Sequence, residues 1–327
     1  MESTAQTSAD ADENMRLAVE RFRTKMEASN RQFLQDRIDE IEAKNLSTEE
    51  EKLEKMDVYW SSLGIKSNDP WMATAPPEIV RQAREEENVT RLADYSSLYH
   101  HQMDGVRPPK LRTDEWRQMY LDTVQKVCNG VAFRDEADND FEVLPCHELA
   151  IFLKYASEIV DPDFRYAGMA HFQPPGALSK ETSDISKDRE DLTADLRRYY
   201  LWDESFVEAY KHDDLEVRVG FKTGNGVKYK LGRHDIWYSM YLYCRRDEED
   251  SDQSHKYWAW RVVVSHATIC DNPMTVYGQK PRFDSIVEFL DWYSSWLEHL
   301  DMDKIREDVH LNCSDEWDPA PLDWADT

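Results

Sequence analysis

Apolar residues recur at steps of three and four between Arg282 and Leu300, RFDSIVEFLDWYSSWLEHL. This spacing predicts a helix with one wide apolar face. Ser285 and Glu288 form a capping-box pair, in which each side chain satisfies a backbone N–H at the helix start. Because such a wide apolar face has to be covered, we expect the helix to pack on a sheet.

Apolar and polar residues alternate strictly over 215–222, which predicts a strand with one buried face. The residues at 223–226, Thr-Gly-Asn-Gly, are typical of a turn, and the alternation resumes over 227–231, so we predict a hairpin of these two strands. Two later segments, 235–245 and 256–265, are apolar or aromatic on both sides. They are predicted to be central strands covered on both faces.

Helical spacing precedes these strands. It predicts a pair of amphipathic helices over 14–60 and single helices over 78–98, 113–129 and 143–160. The polar stretch 174–195 is longer than an ordinary loop, which indicates either partial disorder or a functional insertion. The fold class predicted is α+β, with an antiparallel mixed sheet flanked by helices and an N-terminal helical extension.

Two turn-rich stretches, NDPWMATAPP at 68–77 and GVRPP at 105–109, divide the chain, and the second is the preferred domain boundary. The predicted organisation is a disordered tail (1–13), a helical extension (14–105), an α+β domain (110–303) and an acidic tail (304–327). Residues 1–13 and about 312–327 are expected to be mobile in the isolated protein, because they lack an apolar repeat that could offset the entropy lost on ordering.

The balance of acidic and basic residues limits the classes of partner that this protein could bind. The 327 residues include 66 acidic and 40 basic side chains, for a formal net charge of -26, and no contiguous basic patch stands out. Nucleic-acid binding is disfavoured because phosphate contacts need clustered Lys and Arg. A basic protein partner, or a charged surface that serves only solubility, fits better.

Five cysteines without any C-x-x-C spacing are typical of reduced thiols in an intracellular protein. No secretory signal and no apolar run of membrane-spanning length is visible in the sequence. We therefore expect a cytoplasmic or nuclear location. The oligomeric state is left open.

Candidate chemistry is sparse. Adjacent His100 and His101 would point in different directions on a helix, and neighbours such as Cys146 and His147 do not face each other. We expect no catalytic residue, no metal and no cofactor. A hydrolase or transferase with an aromatic, carboxylate-lined cleft is the alternative, because the chain is rich in Trp and Tyr.

The order of elements resembles the SUKH superfamily, which includes fungal cell-wall-assembly and signalling regulators and immunity proteins of bacterial toxins. The resemblance spans 113–300. It is carried by the following residues: Leu144, Pro145, Glu148, Leu149, Phe152, Leu153, Gly220, Trp258, Trp260, Phe289, Leu290, Trp292, Tyr293, Trp296 and Leu297. The resemblance implies a non-catalytic binding scaffold that acts as a regulator or an immunity-type binder.

The candidate partner-binding residues follow from charge. Five acids lie in six residues of the connection between the two predicted central strands, and the acidic tail carries two Trp residues that could supply apolar anchors. The predicted docking residues are Asp247, Glu248, Glu249, Asp250, Asp252, Trp317 and Trp324.

Overall fold

The computed structural model describes residues 2–62, 77–86, 88–97, 103–132, 141–159, 172–177, 181–201, 215–223, 229–231, 234–236, 238–247, 258–266 and 282–296. Its α-helices are α1 (Glu2–Ala43), α2 (Glu49–Ser62), α3 (Pro77–Glu86), α4 (Asp114–Val131), α5 (His147–Tyr155), α6 (Ile185–Asp195) and α7 (Ile286–Trp296). A 3-10 helix (Leu92–Ser97) follows α3, and a π-helical turn (Leu196–Tyr200) follows α6.

The strands are β1 (Val106–Arg107), β2 (Glu158–Ile159), β3 (Leu215–Lys222), β4 (Tyr229–Leu231), β5 (His234–Ile236), β6 (Tyr238–Asp247), β7 (Ala259–His266) and β8 (Arg282–Phe283). The main sheet is antiparallel, with the order β3-β6-β7-β8. Strands β6 and β7 are interior, as predicted from their apolar residues. Together with the flanking helices, this sheet confirms the α+β class.

The predicted hairpin of 215–222 with 227–231 is wrong. Strand β3 pairs with β6, from Leu215 opposite Asp247 to Lys222 opposite Tyr241, and β4 pairs with β5 in a separate small sheet. Alternation describes a half-buried strand but does not specify its partner. The long strand β6 offers β3 a ladder along its whole length, whereas β4 has only three residues.

Helix α7 lies between the sheet and α1. Its Phe289 contacts Phe283 of β8, with ring centroids 5.7 Å apart, and its Tyr293 meets Phe22 of α1 edge-on at 5.3 Å. Tyr293 and Phe22 are fully buried. The apolar face predicted for this helix is therefore covered by a helix as well as by the sheet, because the N-terminal helix packs back on the α+β domain.

Residues 1–13 were predicted to be a disordered tail, but α1 begins at Glu2. The Asp12 carboxylate accepts hydrogen bonds from Lys154 Nζ at 2.6 Å and from the Tyr155 hydroxyl at 2.7 Å, both on α5. The Ala, Gln and Glu residues of this segment are good helix formers. They extend a helix that packing has already nucleated, so they need no apolar repeat of their own.

Helix α1 takes part in two apolar clusters. Met15, Val19, Phe22 and Met26 belong to the main core, in contact with α5 and α7. Further along, Asn30 is buried and its side-chain amide donates to the Met103 carbonyl at 2.9 Å. Beyond it, a second set of buried residues packs α1 against α2 and the 3-10 helix: Leu34, Ile38, Ile41, Leu53, Met56, Leu92 and Tyr95.

The second cluster contains a buried ion pair. Arg84 Nε of α3 lies 3.1 Å from Asp57 Oδ1 of α2, and the Tyr95 hydroxyl donates to the same oxygen at 2.9 Å. Burial, together with the nearby Asp57 carboxylate, raises the pKa of Tyr95 far above its usual value, so this tyrosine stays a hydrogen-bond donor. The pair joins α2, α3 and the 3-10 helix into one helical unit.

The stretch 174–195 contains helix α6, where the sequence had indicated disorder or a functional insertion. Asp184 caps the helix by accepting from the backbone N–H groups of Ser186 and Lys187. Leu192 and Leu196 are buried in the main core. A carboxylate oxygen of Glu181 accepts from the Thr113 N–H at 2.9 Å, which ties this segment to the start of α4.

Candidate functional site

The end of the main sheet that carries the acidic connection is the candidate site. Asp247, the last residue of β6, pairs with Leu215, and Arg245 pairs with Ala259 at the start of β7. Because antiparallel pairing continues to the strand ends, the connection starts and finishes on adjacent paired strands. Its two attachment points are therefore fixed by the ladder.

A segment from Phe141 to Cys146 crosses this end of the sheet and is held by the last turns of α4. The Val143 N–H donates to Asn129 Oδ1 at 3.1 Å, and Gln125 Nε2 donates to the Val143 carbonyl at 3.0 Å. Side-chain amides thus satisfy both backbone groups of one irregular residue, as a buried backbone requires. The segment is therefore fixed in place without being part of a strand.

The segment contacts the sheet through an arginine. Val217 pairs with Arg245 and Val219 pairs with Cys244, so Arg218 is the extra residue of a β-bulge in β3. Its guanidinium carbon lies 5.2 Å from the ring centroid of Trp258 and 5.8 Å from that of Phe141. We call Phe141, Arg218 and Trp258 the clamp.

The clamp residues are buried, and the two rings also meet each other edge-on at 5.2 Å. A desolvated cation on aromatic faces contributes about 2 kcal/mol or more. The sequence alternation placed Arg218 on the polar face of a hairpin. This expectation is wrong, because the bulge turns its side chain toward the same rings that cover the core.

Two residues beyond Trp258, the Trp260 indole Nε1 donates to the Leu144 carbonyl at 2.6 Å. The Trp260 ring also contacts Phe221 of β3 at 5.3 Å. While its backbone is held in this way, the Leu144 side chain stays 41% exposed. Leu144 therefore exposes an apolar side chain on a backbone that hydrogen bonds fix, next to β7, the strand that follows the acidic connection.

Glu148 joins this region to α7. Its Oε1 accepts from the Ile286 N–H at 2.9 Å and from the Val287 N–H at 3.3 Å, in the first turn of α7. Burial raises the pKa of this carboxyl, and the two backbone hydrogen bonds act in the opposite direction. Ser285 adds the predicted cap, because its Oγ accepts from the Glu288 N–H at 3.0 Å.

Of the predicted docking residues, Asp247 is the end of strand β6. The others lie outside the described residues: Glu248, Glu249, Asp250, Asp252, Trp317 and Trp324. The structure thus locates the base of the acidic connection.

One candidate for chemistry considered from the sequence, Cys146 beside His147, falls on described residues. Cys146 is buried while the adjacent His147 is exposed, so the two do not form a nucleophile and base pair. His100 and His101 lie outside the described residues. Within the part of the chain that the structure describes, no group of three or more His, Cys, Asp or Glu side chains could hold a metal ion.

The clamp residues and Leu144 were not among the docking residues predicted from the sequence. Leu144 was noted only as part of a family pattern, and Phe141 follows an acidic stretch that carries no periodicity. The sequence carried no local signal for the clamp, because Arg218 occupies a polar position of an alternating strand, as Glu216 and Lys222 do.

Comparisons with protein-family models, with curated proteins and with solved structures gave no match for this chain. Among the helices in the described ranges, none has the length and apolar composition needed to cross a membrane.

Proposed function

We propose that the protein is a non-catalytic protein-interaction module, a scaffold, regulator or immunity-type binder of the SUKH kind, whose partner is basic. The acidic connection at 247–252 is the proposed steering element, and Trp317 and Trp324 of the acidic tail are further proposed contacts. We also propose that it acts in the cytoplasm or nucleus, which the buried cysteine thiols of Cys128 and Cys146 support.

One observation carries the proposal: the acidic connection leaves from a rigid base. Its strands are interior to the sheet, and the clamp packs at their ends. Five neighbouring carboxylates repel one another and contribute nothing to folding at a hairpin end. Fixing the two ends of the connection is useful in recognition, because it lowers the entropy lost when a partner orders the residues between them.

The net charge supports the choice of partner. A chain with a formal charge of -26 attracts cationic surfaces over long range, and this attraction speeds encounter and weakens with salt. The same field repels nucleic acid, whose phosphates carry the same sign.

The test is a variant in which Asp247, Glu248, Glu249, Asp250 and Asp252 are replaced by Asn, Gln or Ser. Partners are recovered from the native host at low salt, and their association rates are measured at low and high salt. We expect slower association and a flatter salt dependence, with the melting temperature nearly unchanged.

A matched control changes the net charge equally while leaving the connection intact. It neutralises five exposed acids elsewhere on the chain: Asp10, Glu54, Glu85, Glu190 and Asp191. If this control slows association as much as the connection variant does, only the total charge matters and the site assignment is rejected. An on-rate indifferent to both variants rejects steering altogether.

A further inference from the structure

We propose that the π-helical turn after α6 carries a second interaction surface, which binds an acidic segment of a protein partner. Arg197, Arg198, Tyr199 and Tyr200 lie on this turn, and Lys222 of β3 lies next to it. We call these residues the Arg–Tyr patch. The patch goes beyond the proposed function, because its charge is opposite to that of the acidic connection.

The turn has an unusual backbone. The Leu201 N–H donates to the Leu196 carbonyl, five residues earlier, at 3.0 Å, which is the π-helical pattern. Such turns are rare and occur frequently at functional sites. This turn is fixed at both ends, because Leu196 is buried in the main core and Leu201 forms an antiparallel bridge with Phe221 of β3. The residues between these ends therefore lose little backbone entropy when a partner binds them.

The patch is continuous. The Arg198 guanidinium carbon lies 5.0 Å from the centroid of the Tyr199 ring, and this ring meets Tyr200 edge-on with centroids 6.5 Å apart. The register of the antiparallel bridge places Tyr200 next to Lys222. Tyr199 is 57% exposed, more than any other large apolar side chain that the structure describes. Tyr and Arg are the residue types that are enriched among those carrying most of the binding energy at interfaces.

The cations of the patch have no carboxylate partner within the described part of the chain. Most of the described arginines form ion pairs. Arg197 and Arg198 are exposed and form none, although Asp195 lies three residues before Arg198. Burial lowers the pKa of the half-buried Lys222, because no described carboxylate compensates its ammonium group for the loss of water. A partner's carboxylates would supply what these cations lack, and the planar guanidinium of Arg matches a carboxylate with two parallel hydrogen bonds.

The patch lies far from the acidic connection, at the other end of β3. Leu215 is opposite Asp247, and Lys222 lies seven residues later, which is about 20 Å along a bulged strand. The Debye length at physiological salt is about 8 Å, so the carboxylates of the connection are largely screened at the patch. A peptide is favoured over nucleic acid, because so few cations cannot follow a run of phosphates.

The experiment uses the full chain and labelled probes at physiological salt. The main probe is a peptide of Glu residues around a central Trp. One control peptide has Gln in place of each Glu, another has Ser in place of Trp, and a single-stranded oligonucleotide is the last probe. Fluorescence anisotropy gives the Kd of each, and we expect the Glu–Trp peptide to bind most tightly.

Replacing Arg197 and Arg198 together by Gln should weaken binding of the Glu–Trp peptide by about tenfold, as expected for the loss of two exposed ion pairs. Tyr199→Ser should remove the preference for Trp over Ser in the peptide. The matched control replaces Arg81 and Arg112 by Gln, because both are exposed arginines without an ion pair in the described part of the chain. It should leave binding unchanged. Circular dichroism and the melting temperature verify that the variants fold.

The proposal is overturned if the Glu–Trp peptide shows no saturable binding, or if the control variant loses as much affinity as the Arg197 and Arg198 variant. Tighter binding of the oligonucleotide than of the peptide would assign the patch to phosphates and reject an acidic protein segment. Self-association of the wild type that is lost in the Arg197 and Arg198 variant would make a second copy the occupant and reject a separate partner.

These outcomes are separate from the test of the proposed function. The variant neutralised at 247–252 tests the basic partner, and we expect it to bind the Glu–Trp peptide as the wild type does. If the Arg197 and Arg198 variant has no effect while neutralisation at 247–252 still slows association with a basic partner, the proposed function stands and only the patch fails. If neutralisation has no effect while the patch variant weakens peptide binding, the patch stands and the proposed steering fails.

Discussion

Phe22 tests whether the N-terminal helix is a structural part of the α+β domain. Its ring is fully buried in the main core and meets Tyr293 of α7 edge-on, with centroids 5.3 Å apart. Phe22→Ala removes the ring and leaves a cavity between α1 and α7. If α1 were an independent extension, the same change would leave the unfolding of the sheet unaffected.

The expected cost is about 3–5 kcal/mol for a buried Phe→Ala change, of which about 0.5–1.5 kcal/mol is the aromatic pair. A loss of this size is a large share of a typical domain's stability. Leu17→Ala, on the exposed side of the same helix, should cost less than about 0.5 kcal/mol.

Urea unfolding followed by fluorescence and circular dichroism measures the effect. We expect the midpoint for Phe22→Ala to fall while the slope with denaturant stays the same. A double-mutant cycle with Tyr293→Leu should return a coupling of about 0.5–1.5 kcal/mol. A Phe22→Ala loss below about 1 kcal/mol would show that α1 does not pack on α7 as described.

Two further substitutions test other contacts. Glu148→Gln keeps an oxygen that can accept from the Ile286 and Val287 N–H groups. In the wild type, burial raises the pKa of Glu148 above its ordinary 4.5, so the folded state is stabilised while this carboxyl is protonated. That stabilisation is lost as the pH rises through the raised pKa. The Gln variant should therefore gain stability relative to the wild type as pH rises in denaturation series, whereas Glu148→Ala should lose about 1–3 kcal/mol; a wild type that gains on the Gln variant with rising pH would reverse the sign and refute this. Asp57→Ala removes the buried partner of Arg84, which then keeps only the exposed Glu50 carboxylate at 3.5 Å, and should cost about 3–5 kcal/mol. In the Asp57→Ala variant, backbone amide hydrogen exchange should become faster in α2 and the 3-10 helix but not in α7. Equally faster exchange in α7 would mean that the two apolar clusters unfold as one.

The sequence predicted the elements whose signals are local. Thr113 begins α4 as predicted, with its Oγ accepting from the Trp116 N–H at 3.3 Å, and Ser285 begins α7. Both residues act on a backbone group three positions away, so the signal and the structure lie in the same short stretch. The interior position of β6 and β7 was also predictable, because strands covered on both faces have few polar positions.

Which strands pair, and in which register, could not be predicted from such local signals. The partner of β3 is β6, which begins after two further strands, and the bulge at Arg218 inverts a strict alternation at one residue. The clamp joins residues from three distant stretches of chain, and no local pattern connects Phe141 with Trp258. The acidic connection was visible in the sequence, but the aromatic and apolar residues at its base become a site only through tertiary contacts.

The packing of α1 on α7 also has a consequence for the order in which the protein can be completed. Arg21 and Asp291, which form an ion pair across these helices, are separated by 270 positions in the chain. Synthesis proceeds from the N-terminus, so α1 is released long before its partner exists. Until α7 has been synthesised, the apolar residues of α1 that pack on it are exposed to water or bound by a chaperone. Closure of the main core is thus a late, long-range event that comes after nearly all of the described chain has been made.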